Sequence, residues 1–444
     1  MAGKKKRICG GPAAGIFWTL EKYRVIDANE WVGSSQTGGS GRMNILFVTF
    51  YYPPEVGAPQ RRISEYAAEL KKRGHRVSIL TGFPNYPRGE LLEPYRRRLY
   101  LRENLDDIEV LRVFHFLGSR ETKWGRALAE GSFAVSALIA VLLKRAPDVV
   151  IVESPSLVSG WTGLVLKRMR KSVFVLHVSD LFPDGALAVG MLSQGTLFSI
   201  LRRMASFFYR EADAIVAVTK GLQEIILSQG ISFQKIRLIP NGVADAHIRT
   251  KAEPATNGKF RAVYAGNLGR AYNLSPALQA AHRLREDGFE FEIIGDGIDR
   301  SAVEKQAGAL PNVRFLGGMP VDKMFERLYQ ANAMVIPLAA RPGLESVIPS
   351  KMADAMAASL PVVLTGRTGE SVEIVRERRC GIVVEPDNPD AMVEAFQFLQ
   401  KNPTEAAAMG QRGLEYVKKT RLRSFLTEQL EETLLAALQK RNRG

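Results

Sequence analysis

From Met43 onward the chain alternates short β-branched runs with stretches whose apolar residues recur at helical spacing. In the first half NILFVTF (44–50), RVSILTG (76–82), VLRVFHF (110–116), VVIVES (149–154), VFVLHV (173–178), AIVAVT (214–219) and IRLIP (236–240) read as strands. Several are apolar on both faces, the pattern of parallel strands covered by helices on each side. Between the first two, Ile63, Tyr66, Ala67 and Leu70 mark a helix over 60–73 that stops at Gly74, where a C-terminal glycine is expected. A polar linker, NGVADAHIRTKAEPATNGK (241–259), interrupts the rhythm. It restarts with RAVYAG (261–266), FEIIG (291–295), VRFLG (313–317), AMVIP (333–337), PVVLT (361–365) and GIVVE (381–385), and turns wholly helical from about 404. Such alternation predicts an α/β chain of two doubly wound parallel sheets. Ligands of open α/β sheets bind at the carboxyl ends of the strands, so the site is expected in a cleft between the two halves.

The boundaries follow from the same pattern. Residues 1–42, with KKKR at 4–7 and the linker-like GSSQTGGSG at 33–41, are expected to be a disordered extension, with folding beginning at Met43. The first domain is placed at 43–245 and the second at 246–425, leaving a helix at 426–444. Asn241 and Gly242 mark the expected hinge.

Composition narrows the class. A chain of 444 residues exceeds what one core usually organises. At 46% hydrophobic and 24% charged it is ordinary for a soluble enzyme. Cys9 and Cys380 lie in unrelated contexts, so no disulfide framework is expected and a reducing cytoplasm fits. The net charge of +15 suits nucleic acid, anionic lipid or phosphorylated small molecules. No zinc-finger spacing, RNP-type aromatic motif or long basic helix accompanies it, so nucleic acid is not expected. No run reaches the roughly 18–20 apolar residues needed to span a bilayer. FAVSALIAVLL (133–143) reads as a core helix leading into the strand at 149–154, or as a helix seated in the membrane interface. In SILRRMASFFYR (199–210), Ile200, Met204, Phe207 and Phe208 share a face from which Arg202 and Arg203 largely fall away.

Several common catalytic signatures are missing: no phosphate loop, no G-x-S-x-G, no H-E-x-x-H, no C-x-x-C and no D-x-D. What remains is a set of glycine turns after strands. Gly57 and Ala58 precede the first helix, Gly266, Asn267, Gly269 and Arg270 follow the first strand of the second half, and Gly295 and Gly297 flank GDG. Small residues there let backbone N–H groups approach a phosphate or sugar closely. A third element is LESVIPSKMADAMAASLPVV (344–363), a helix start with Ser350 as its N-cap, Lys351 and Asp354 close behind and Glu345 just before. A nucleotide diphosphate needs a cation and helix amides at its phosphates and a carboxylate at its ribose hydroxyls.

YYPPEVGAPQRRISEYAAELKKRGHRVSILTGFPNYPRGE (51–90), VSDLFPDGALAVGML (178–192), IPNGV (239–243), YAGNLGRAYNL (264–274), IIGDG (293–297) and PSKMADAMAASLPVV (349–363) together resemble family 4 retaining glycosyltransferases. The resemblance covers 43–440 and is nearest to the colanic-acid and O-antigen branch, which includes transferases of N-acetyl-L-fucosamine. It implies a GT-B fold of two facing Rossmann-like domains, with acceptor in the first and nucleotide-sugar donor in the second. It also implies metal-independent transfer without a cofactor, and a final helix that crosses back onto the first domain. The family's E-x7-E donor pair is altered here: Asp354 stands at the second position, Ser346 at the first, and Glu345 is the nearest substitute.

Carried onto this chain, the resemblance implies transfer of a sugar, an N-acetylated amino sugar, from UDP. The acceptor would be a lipid-linked or polysaccharide precursor at the inner face of a bacterial cytoplasmic membrane, where the basic chain would sit peripherally on anionic lipid. Arg270 and Lys351, with the amides near Gly57 and Ala58, would stabilise the leaving diphosphate. Asp180, and His177 beside it, would face the cleft and orient the acceptor, with Glu153 a weaker candidate. Two other classes compete: a nucleotide-sugar epimerase of the same fold, and a non-catalytic basic protein that binds membrane or nucleic acid.

Overall fold

The computed structural model describes residues 41–443 and Arg24–Val25, apart from 86–88, 92–94, 118–122, 144, 155, 189, 191, 251–257 and 342. The remainder of the 1–42 extension, Cys9 and Lys144 therefore lie outside the described residues. In the first half the strands are β1 (Arg24–Val25), β2 (Asn44–Val48), β3 (Arg76–Gly82), β4 (Tyr100–Leu105), β5 (Ile108–Val113), β6 (Val149–Glu153), β7 (Val173–Val178), β8 (Ala214–Ala217) and β9 (Ile236–Leu238). They form one sheet in the order β1-β4-β5-β3-β2-β6-β7-β8-β9. From β5 to β9 every pairing is parallel. Its helices are α1 (Ala58–Lys72), α2 (Lys123–Leu142), α3 (Gly160–Arg170), α4 (Asp184–Ala188), α5 (Thr196–Glu211) and α6 (Lys220–Ser228).

The second half carries β10 (Phe260–Ala265), β11 (Phe289–Ile294), β12 (Val313–Gly317), β13 (Ala333–Ile336), β14 (Val362–Thr365) and β15 (Gly381–Val384). This sheet is parallel throughout, in the order β12-β11-β10-β13-β14-β15. Around it lie α7 (Ser275–Arg283), α8 (Arg300–Gly308), α9 (Val321–Tyr329), α10 (Ser350–Ala357), α11 (Glu370–Arg378), α12 (Pro389–Lys401) and α13 (Pro403–Thr420), and the chain ends in α14 (Arg423–Arg443).

Burial explains the two-faced apolar strands. Every residue of β6 and β7 is buried, because helices cover both faces of the first sheet. On one face α2, α3 and α5 pack through Phe133, Ala137, Leu166, Ala205 and Phe208. On the other, α1 packs through Ile63, Tyr66 and Leu70 beside Leu426, Leu430 and Leu434 of α14. The final helix thus supplies core to the first sheet rather than the second. Sequence reading missed β4, an antiparallel partner of β5. Asp106 and Asp107, both at positive φ, make the turn between them, and the buried Glu103 of β4 pairs with Arg112 of β5.

Two chain crossings join the halves, and they bond to each other. Val243 N–H donates to the Arg421 carbonyl at 3.0 Å, and Arg423 N–H donates to the Val243 carbonyl at 2.9 Å. A Cβ on Gly242 would stand 2.4 Å from the Arg421 oxygen, so glycine is what lets the crossings close.

Candidate active site

The halves meet at α1 and α10. Pro59 near the start of α1 presets its first turn, and Gly57 precedes it in extended backbone. One turn in, Arg61 reaches across to Asp354: Nη2 donates to Oδ1 at 2.7 Å and Nη1 to Oδ2 at 3.1 Å. Asp354 is 4% exposed, so its carboxylate is almost wholly committed to this fork. A second crossing contact comes from the Lys220 N–H at the start of α6, which donates to Glu370 of α11 at 2.8 Å.

Lys351 lies one turn before Asp354 and is 5% exposed. Its ammonium donates to the Tyr264 hydroxyl at 2.9 Å and sits 3.2 Å from the centre of the Tyr272 ring. Burial pushes it well below the usual lysine range, and the nearby Asp354 charge pulls part of the way back. Gly266 covers this cage. A Cβ there would stand 2.7 Å from Lys351 Cε, and φ is +144°, so both space and backbone require glycine. The two glycine turns also lock together: Gly266 N–H donates to the Ile294 carbonyl and Leu268 N–H to that of Asp296, each at 2.9 Å. Cβ atoms on Gly295 and Gly297 would meet the Gly266 and Leu268 oxygens at 2.0 and 2.2 Å. These glycines therefore serve loop against loop.

Arg270, exposed on the same turn as Asn267 and Gly269, lines a cleft of about 490 Å3 with Tyr272, Asn273, Asp299, Arg341 and Asp387. Glu345 is exposed on the turn before α10 and accepts from the Gly343 N–H at 2.7 Å. Ser346 closes that turn. Ser350 was expected to cap α10, but Pro349 holds the cap and Ser350 is the first helical residue, with no capping bond.

Asp180 stands past the carboxyl end of β7, where solvent reaches it. The fold still closes round it tightly enough that lost hydration pushes its carboxyl up, with the Leu181 N–H opposing. His177 was expected beside it on the cleft. The structure places that ring inside, fully buried, with Nδ1 3.0 Å from Glu153 Oε2. Glu153 is ion-paired to Arg62 and accepts from Ser179 Oγ at 2.8 Å. Burial alone would raise Glu153, but Arg62 and His177 outweigh it and hold the carboxyl at about 2. Arg62 also donates to Asn241 Oδ1 at 2.7 Å, so the buried cluster is tied to the crossing between the halves.

Arg61, Arg62, Tyr264 and Tyr272 escaped the sequence reading. The RR pair at 61–62 beside the first glycine turn was the one sign of the arginines, while both tyrosines fall in YAGNLGRAYNL (264–274) without a role assigned to them. Among the described residues no group of three or more His, Cys, Asp or Glu gathers as a metal would require.

Two largely parallel-sheet domains joined by a double crossing make a GT-B fold, and two family matches that together run through both halves make the chain a glycosyltransferase. Residues 57–242 match the family described as Glycosyl transferase 4-like domain, and 259–402 match Glycosyl transferases group 1. The chain is 26% identical over 410 residues to the putative colanic acid biosynthesis glycosyl transferase WcaI of Escherichia coli K12, covering 87% of this chain and 99% of that protein. It is 25% identical over 230 residues, 50% of this chain and 59% of that protein, to a Campylobacter jejuni enzyme. That relative is named as a 4-alpha-N-acetylgalactosaminyltransferase acting on a diphospho-undecaprenol-linked saccharide. Among solved structures, Anabaena HepE in complex with UDP-glucose shares the fold, with TM-score 0.66 at 15% identity, covering 89% of this chain and 100% of that one.

Proposed function

We propose that this glycosyltransferase moves a sugar, an N-acetylated amino sugar, from UDP onto a lipid-linked or polysaccharide-precursor acceptor in cell-surface glycan synthesis, with retention and without a metal. The observation that carries the reading is the meeting of α1 and α10, where Asp354, Lys351 and the Gly266 turn of one half face Arg61 of the other. A ribose diol offers a carboxylate two hydrogen-bond donors, as the Arg61 fork does, so the nucleotide would take the place of Arg61 on Asp354. Arg270 and Lys351 then stand by for the diphosphate. The new bond forms between the acceptor oxygen and the anomeric carbon while the bond from that carbon to the diphosphate oxygen breaks. The acceptor proton passes to the departing phosphate, whose charge Arg270 stabilises, joined by Lys351 when the phosphate holds its ammonium protonated. Asp180 orients the acceptor, His177 acts from behind through Glu153, and closure about Asn241 and Gly242 excludes water.

The named substrate of the Campylobacter relative supports a lipid-borne acceptor. No helix among the described residues is long and apolar enough to cross a membrane, so a peripheral seat on the inner face of the cytoplasmic membrane is proposed. Calorimetry with UDP, GDP and ADP tests the donor site. One nucleotide is expected to bind at micromolar strength and to weaken in Arg270→Ala and Asp354→Ala, while silence toward all three removes the reading. An epimerase would consume the donor alone, whereas a transferase releases UDP in step with added acceptor.

A further inference from the structure

The helix layer formed by α2, α3 and α5 is apolar outside as well as inside. Phe133, Ala137 and Val141 bury one side of α2 in the core. On the opposite side Leu128, Val135 and Ile139 are each more than half exposed, and Leu143 just past the helix is 83% exposed. With Leu142 the stripe runs about 20 Å along the helix axis. Met169 of α3 and Leu197 and Ile200 of α5 are also more than half exposed. The other face of the same sheet is different: α1 and α14 expose a single large apolar side chain, Phe425. Isolated surface leucines need no explanation, but a concentration on one layer does.

Charge decides what covers it. The sequences of α2, α3 and α5 contain eight Lys or Arg against two Glu. Arg168 and Arg170 flank Met169, Arg202 and Arg203 follow Ile200, and Arg145 lies just beyond the α2 stripe, all of them exposed. A second copy of this chain would bring that positive charge against itself. An anionic bilayer accepts both parts, the apolar side chains entering the acyl boundary and the basic ones resting among headgroups.

We infer that the α2–α3–α5 face is the surface by which the protein lies on an anionic membrane. Helices that follow a strand begin at its carboxyl end, so Leu197 and Ile200 stand at the cleft side of the layer. Arg202 Nε is 3.7 Å from Asp184 of α4, which ties this end of α5 to the segment just after Asp180. The seat therefore brings the bilayer to the mouth of the cleft at the acceptor side. This gives the lipid-borne acceptor of the proposed function its route; the surface itself is read from side chains outside that site.

The test is co-sedimentation of the full chain with vesicles of phosphatidylcholine alone or with one third phosphatidylglycerol, alongside V135E/I139E and R202Q/R203Q. Strong partition onto the anionic vesicles, lowered about tenfold or more by either double variant, is the expected result. Partition unchanged in V135E/I139E would overturn the assignment. So would a parent that ignores anionic vesicles, or a parent that dimerises and is made monomeric by V135E/I139E. UDP calorimetry on the same samples separates the two proposals. Nucleotide binding without vesicle binding removes this surface alone, and vesicle binding without nucleotide binding removes the donor site alone. The altered side chains point outward, so an unchanged melting temperature is the control for folding.

Discussion

Replacing Arg61 with methionine keeps much of the side-chain length and removes the fork that holds Asp354. Both carboxylate oxygens lose their partner at a position 4% exposed. Breaking one side of a buried ion pair costs about 3–5 kcal/mol. The Arg61 side chain is 14% exposed, so the lower end, about 3 kcal/mol, is the expected loss. For a domain of 150–250 residues that is a fall of about 6–12 °C in the melting temperature of the donor half. Nucleotide should reverse much of it, because in the parent the ribose must displace Arg61 and in the variant Asp354 stands open. If the parent keeps the pair closed about nine-tenths of the time, R61M binds UDP about tenfold more tightly, or about 1.4 kcal/mol. Thermal unfolding with and without UDP reads both effects. The variant should melt lower alone and gain more from UDP than the parent gains. A variant that melts lower and gains no more than the parent would refute the exchange and leave Arg61 a structural tie between the halves.

Two further outcomes follow from the packing. The depressed Glu153 carboxyl stabilises the fold at pH values above its ordinary range near 4.5, and that contribution is lost as pH falls toward about 2. Urea midpoints from pH 6 to 2.5 should therefore fall more steeply for the parent than for Glu153→Gln, and equal slopes would remove Arg62 and His177 as the cause. Leu430→Ala empties a fully buried position of α14 and should cost about 2–5 kcal/mol in chemical denaturation; a loss under 1 kcal/mol would mean that α14 adds little to the first core.

The parallel sheets were legible because burial on both faces leaves a plain run of β-branched residues, as in VVIVE and VFVLHV. The β4 strand was not, since a buried charge pair makes YLRENL look polar; the adjacent Asp-Asp turn was its one readable sign. At the site, glycine turns and the α10 start could be placed from local spacing. The partners of Lys351 and Asp354 could not. Arg61 is separated from Asp354 by 293 positions, and Tyr264 sits in a strand whose aromatic reads as ordinary core. His177 shows the reverse error: a titratable residue near a strand end suggested chemistry at the surface, while the neighbouring glutamate and arginine made it stable inside.

The place of α14 in the chain sets an order on biosynthesis. Leu426, Leu430 and Leu434 complete the core beside Ile63 and Tyr66, yet they follow every strand of both sheets. A ribosome releases the first half with one side of its sheet covered by α1 but not yet by α14, and that gap stays open until the second half has been made. Domains usually mature in the order they are translated. Here the earlier one finishes last, and a chain that stops short of α14 leaves the nascent first domain, rather than the second, in the hands of chaperones.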